Sequence, residues 1–194
     1  MLNDRSSILS FLETRRSGRP RDLVAPGPGP EELARILAIA SRTPDHGKLH
    51  PWRFVHVRPD QREALAALLE RAYRTANPDP GRLEIEAAHR FAHQAPELIV
   101  LLSAPVQGHK IPVWEQELSC GAAGMNLLLA AHALGYAGGW VTGWAAYSDM
   151  VRDAFGREGE RIAGFLFLGT PGAELEERPR PDPADVTSAW GGGG

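Results

Sequence analysis

Three short stretches of this 194-residue sequence hold most of the side chains that could do chemistry. The first, Arg15 to Arg19, reads RRSGR and puts three guanidinium groups and a hydroxyl within five residues. Arginine forks match phosphate oxygens two at a time and stay charged at any working pH. Cations also suit a helix C-terminus, where they meet the negative end of the dipole. The second, Thr43 to Trp52, reads TPDHGKLHPW. Pro44 as a helix stop, Asp45 as a turn cap and Trp52 as a core residue account for three of its members. His46, Lys48 and His50 are left over, and they point to a binding surface. The third, Gly135 to Gly143, reads GYAGGWVTG. Glycines there let backbone come close to a flat ligand, and they also stop a helix.

Other chemistries find less support. His46 with His50, and His89 with His93, have the four-residue spacing of a helical zinc pair. Gly47 and Pro51 break up a helix at the first pair, and neither pair carries the HExxH glutamate, so no metal site is expected. A zinc protein is the rival reading those pairs would support. Cys120 is the only cysteine and lies among small apolar residues, the setting of an inert core thiol. A lone cysteine fits a reducing compartment. GxSxG and Walker A patterns are absent, and the glycine stretch follows a helix, the reverse of the dinucleotide fingerprint. No side chain is expected to be catalytic; the chemistry would belong to a cofactor. A net charge of −3 offers no bulk basic field for nucleic acid. The N-terminal apolar residues are interrupted by charge, unlike a signal peptide, and no apolar run is long enough to span a bilayer. A soluble, cytoplasmic protein is expected.

The elements that must carry these residues read as follows. Ile8, Leu9, Phe11 and Leu12 have helical spacing, so RRSGR closes a first helix. Pro30 opens a second, with Leu33, Ile36, Leu37 and Ala40 on its apolar face. TPDHGKLHPW follows that helix and runs into an alternating strand, Trp52 to Arg58. Asp60 and Glu63 have capping-box spacing for a third helix. After a break at ANPDPGR come a helix in EIEAAHRFAHQ and a buried strand in ELIVLLSA. VWEQELSCGAAGMNLLLAAHALG is a long helix, apolar nearly all round, so it should be buried on most faces. GYAGGWVTG then leads into a strand, SDMVRDAFG is a short helix, and RIAGFLFLGT is another strand. The proline-rich tail from about residue 172 should lie extended along another surface. Strict strand–helix alternation is absent, which predicts an α+β sandwich on a sheet of about four or five strands.

The order of these motifs, RRSGR, PDHGKLHPW, WEQELSCGAAGMNLLLAAHALG, GYAGGWVTG and FLFLGTP, resembles the nitroreductase-like flavoprotein family from about Ile8 to Pro171. Within it the chain is most similar to the smallest bacterial members, which carry a PDH turn. The resemblance implies one FMN-binding domain over residues 1–194. It also implies a three-layer α+β sandwich with a mainly antiparallel sheet, assembled as an intertwined homodimer with FMN at the interface. It implies that Arg15, Arg16 and Ser17 hold the FMN phosphate and ribityl chain, with Arg19 beside them. Arg42 and His46 fall at flavin-contacting positions, Pro44 and Asp45 line the site from the partner subunit, and Trp140, Val141 and Thr142 match another flavin-contacting stretch. The reaction implied is transfer of hydride from NAD(P)H through flavin to nitroaromatics, quinones or similar acceptors. Dehalogenation, dehydrogenation and non-catalytic flavin binding are the alternatives on the same fold. Two departures stand out: close relatives have arginine at the position of Val141, and many have glutamine at that of His50. Both bear on flavin affinity.

Overall fold

The computed structural model describes residues 1–191; Gly192–Gly194, the end of the GGGG run, lie outside the described residues. The first helix, α1 (Ile8–Thr14), starts where the Ser7 hydroxyl accepts the Ser10 N–H at 3.0 Å. A two-residue strand, β1 (Leu23–Val24), follows the RRSGR loop. Pro30 stands at the first position of α2 (Pro30–Ala40), and the Glu32 carboxylate accepts the Gly29 N–H at 3.0 Å. Then come β2 (Trp52–Val57), α3 (Arg62–Ala76), α4 (Arg82–Ala92) and β3 (Glu97–Ser103). The long helix is α5 (Val113–Ala133), followed by β4 (Ala137–Val141), α6 (Asp149–Phe155), β5 (Arg161–Pro171) and a single turn, α7 (Pro183–Val186).

All five strands join one antiparallel sheet. β5 is its spine: β3 pairs along one edge, while β4 and then β1 pair end to end along the other. β2 closes the far side against β3. Both faces are covered. α2 and α5 pack Leu33, Ile36, Cys120 and Leu127 onto Ile99, Leu101, Leu166 and Leu168. α3, α4 and α6 pack Leu65, Leu69, Ala88 and Val151 onto Leu98, Val100, Phe165 and Phe167. Alternate residues of β3 and β5 serve opposite cores, so both strands read as continuous apolar runs.

Two local expectations need correction. Asp60 and Glu63 do not cap α3, which has no side-chain cap; the capping contact lies in the 3-10 turn Pro59–Gln61 before it, where the Gln61 side chain accepts the Arg58 N–H at 3.0 Å, while Asp60 pairs with Arg58. The glycine stretch does not precede a strand but contains one, because β4 begins at Ala137. Only Gly135, at φ +101°, serves as the helix stop, with its N–H on the His132 carbonyl at 2.9 Å and the Tyr136 N–H on that of Ala131 at 3.0 Å. Beyond β5 the tail touches the RRSGR loop: Arg16 Nε donates to the Glu176 carbonyl at 2.7 Å, and Arg19 pairs with the Glu176 carboxylate.

Candidate cofactor site

The RRSGR loop is pinned against β4. Gly18 donates its N–H to the Gly138 carbonyl at 3.0 Å, and a side chain on Gly139 would place Cβ 2.6 Å from the Gly18 carbonyl. Asn3 grips the loop from the other side, accepting the Arg16 N–H at 2.7 Å and donating to the Arg16 carbonyl at 3.1 Å. Arg15 Nη1 donates to the Ser17 hydroxyl at 3.3 Å. The tail adds a cation that the sequence reading missed: Arg180 Nη2 donates to the Arg15 carbonyl at 3.4 Å. Burial, then the charges of Arg180 and Arg16, push the Arg15 pKa below its ordinary value, while Glu177 opposes them. Arg15, Arg16, Arg180 and the Ser17 hydroxyl therefore form a donor-rich cluster in which arginine charges crowd one another.

Trp140 and Val141 lie on β4, and Thr142 follows it. The Trp140 indole does not offer its donor to a ligand. It wedges between Gly124 and Gly164, where an added Cβ would come within 2.5 Å or closer, and its Nε1–H goes to the Ala163 carbonyl at 3.0 Å. A cavity of about 470 Å³ opens beside it, lined among others by Cys120, Gly121, Tyr147 and Arg161. Burial drives the Cys120 thiol up to about 12, so it is no thiolate at neutral pH. Val141 packs against the α3–α4 core. Thr142 borders a second cavity of about 340 Å³ whose wall includes Tyr73, Glu84 and Phe91.

The TPDHGKLHPW turn is clamped to one face of α5. His46 Nδ1 meets Glu115 at 2.9 Å, the Ser119 hydroxyl donates to the Pro44 carbonyl at 2.6 Å, and Asn126 donates to the Thr43 hydroxyl at 2.7 Å. Asp45 accepts the His50 N–H at 2.8 Å. Gly47, Lys48 and His50 all have positive φ, and such backbone costs a non-glycine residue of order 1 kcal/mol or more. Arg42 is exposed at the start of the turn. The second histidine pair is bound to carboxylates: His89 with Glu70 at 2.7 Å and His93 with Glu63 at 3.3 Å.

The predicted residues thus fall into two groups. Arg15, Arg16, Ser17 and Arg19 come together, with Trp140, Val141 and Thr142 further along the same strand. Arg42, Pro44, Asp45 and His46 do not join them. Ser119 and His132, which mark the two groups on α5, are separated by about 20 Å of helix. Gly124, which touches Trp140, and Asn126, which holds the turn, point about 200° apart around that helix.

The nitroreductase family model matches residues 12–170. The chain is 40% identical over 164 residues to YdjA of Escherichia coli (strain K12), a protein provisionally named an NAD(P)H nitroreductase; the match covers 84% of this chain and 87% of that one. Its fold is similar to that of a nitroreductase-like family protein from Bacillus cereus, with a TM-score of 0.79 at 21% identity, covering 96% and 97% of the two chains. A nitroreductase with bound FMN from Bacteroides fragilis NCTC 9343 aligns with a TM-score of 0.70 at 21% identity, covering 95% and 100%. Sequence and architecture agree: the chain belongs to the nitroreductase family.

Proposed function

We propose that this chain is an FMN-dependent oxidoreductase that draws electrons from NAD(P)H and works as an intertwined homodimer. The observation that carries the reading is the arginine cluster seated on the glycine edge of β4. Its donor set fits the phosphate monoester of FMN: forked cations and a hydroxyl, with mutual repulsion that a bound dianion relieves. Arg15, Arg16, Ser17 and Arg180 would hold the phosphate, with Arg19 at the rim where Glu176 now pairs with it. Trp140, Val141 and Thr142 would border the ring, and the cavities beside Trp140 and Thr142 give it room.

The Arg42–His46 group cannot reach the same flavin from within one chain, because α5 stands between. A second copy would supply it. The surface suits one: Trp114 and Leu118 of α5 are 67% and 54% exposed, and Ile8 and Leu9 of α1 are 79% and 70% exposed. Apolar patches of this kind mark association surfaces. In the dimer, Arg42, Pro44, Asp45 and His46 of the partner subunit would complete each site.

The flavin, when bound, supplies two-electron transfer from NAD(P)H to an acceptor such as a nitroaromatic or a quinone. The residues bind and orient, and the charge of Arg15, Arg16 and Arg42 favours anionic character at the site. Among the described residues no helix is long and apolar enough to cross a membrane. A cytoplasmic location completes the reading. The test is the visible spectrum of the purified protein after addition of FMN. Bound-flavin bands that bleach anaerobically with NADH or NADPH are expected; failure to bind FMN would overturn the proposal.

A further inference from the structure

Gly138 lies on the edge of β4 that β5 does not use, and both of its backbone polar groups are engaged there. Its carbonyl accepts the Gly18 N–H at 3.0 Å, and its own N–H donates to His132 Nε2 at 3.0 Å. His132 comes from the last turn of α5 and is wholly buried. Accepting at Nε2 leaves the proton on Nδ1, and Nδ1 has no partner. A buried unpaired donor costs stability, and a leucine would fill the space without one. The ring is of use through Nε2, which no apolar side chain can replace. Burial and the nearby Arg15 charge hold its pKa down to about 4, so the acceptor survives throughout the neutral range.

We propose that His132 is a positioning residue for the phosphate cradle, fixing Gly138 and, through it, the Arg15–Gly18 loop. The loop is then held at two points, Arg16 by Asn3 and Gly18 by the Gly138 carbonyl, with the Ser17 hydroxyl between them. The inference rests on the FMN reading for the identity of the anion, but the positioning itself does not.

Two measurements decide it. The first compares FMN with riboflavin, which has the same ring and no phosphate, by flavin fluorescence titration. H132L and H132N should weaken FMN about tenfold while leaving riboflavin unchanged, as one lost hydrogen bond under the cradle would do. H132Q places an amide oxygen where Nε2 lies and should keep most of the affinity. FMN binding unchanged in H132L and H132N, or FMN and riboflavin weakened together, would overturn the proposal. The second is amide hydrogen exchange without flavin. The Gly18 and Gly138 amides should exchange faster in H132N and stay protected in H132Q, with the rest of β4 unchanged. Equal protection in both variants would refute the positioning role. If the wild-type protein binds no FMN, the cofactor reading fails and the exchange result still decides the role of His132. Should H132L fail to fold, the Asn and Gln pair carries the comparison.

Discussion

At the scale of single residues, His132 couples the fold to pH. Its pKa falls from an ordinary 6.5 to about 4 in the folded chain, mainly because burial disfavours the charged ring. The unfolded chain therefore takes up a proton between those values and the folded one does not. The stabilising contribution is complete above pH 6.5 and is lost as the pH falls toward 4, by up to about 3 kcal/mol. Urea titrations from pH 7 to 4 should show that slope in the wild type and a flatter one in H132Q. Arg62 makes a different case. It is buried, and its guanidinium donates to the carbonyls of Val57 at 3.0 Å, Ala92 at 2.9 Å and Pro96 at 3.1 Å. Those carbonyls tie β2 to the end of α4 and the start of β3. R62M keeps the stem but orphans them, and should cost about 2–4 kcal/mol in chemical denaturation with no change in flavin affinity per folded molecule.

At the scale of elements, the Trp140 wedge explains why two glycines stand where they do. A Cβ on Gly164 would sit 2.0 Å from Trp140 Nε1, and one on Gly124 would sit 2.5 Å from the same ring. G164A should push the indole off the Ala163 carbonyl and lower stability by about 1–3 kcal/mol in thermal or urea unfolding, the cost of overpacking. The same crowding shows why β4 was hard to read in advance. Glycine has no strand preference, and Gly138 and Gly139 are there because side chains would strike Leu128 at 2.7 Å and the Gly18 carbonyl at 2.6 Å. α2, α5, β3 and β5 were legible because their apolar spacing is a property of the segment itself. RRSGR and TPDHGKLHPW were legible as residue types. That they lie on different sides of α5 was not, because it depends on how that helix packs. Arg180 carried no local signal either: it lies 165 residues from Arg15 and reaches it through the tail. That tail also brings Glu176 to Arg16 and Arg19. E176Q should leave stability within about 0.5 kcal/mol, as exposed ion pairs usually do. It should tighten FMN binding a few-fold by freeing Arg19, which titration at low and high salt would read.

At the scale of the whole molecule, the separation of the two residue groups gives the proposed dimer a chemical role. If each site joins the Arg15–Arg19 loop of one chain to the turn of another, then damage to either group disables every site of a homodimer. The lesions should complement each other in a mixed one. R15A/R16A removes the cradle, and D45A/H46A removes the turn. A heterodimer of the two variants has one site with both lesions and one with neither. Random two-fold assembly makes half of the dimers mixed, so about a quarter of wild-type activity should return when the variants are co-refolded. Sites contained within single chains would give no recovery at any mixing ratio. L118E supplies the companion test, because Leu118 is 54% exposed on α5 and lies outside both cores of the single chain. A charge there should leave circular dichroism unchanged, shift the sedimentation coefficient to that of a monomer and abolish FMN binding. If the L118E monomer bound FMN as tightly as the wild type, the turn would not be part of the site.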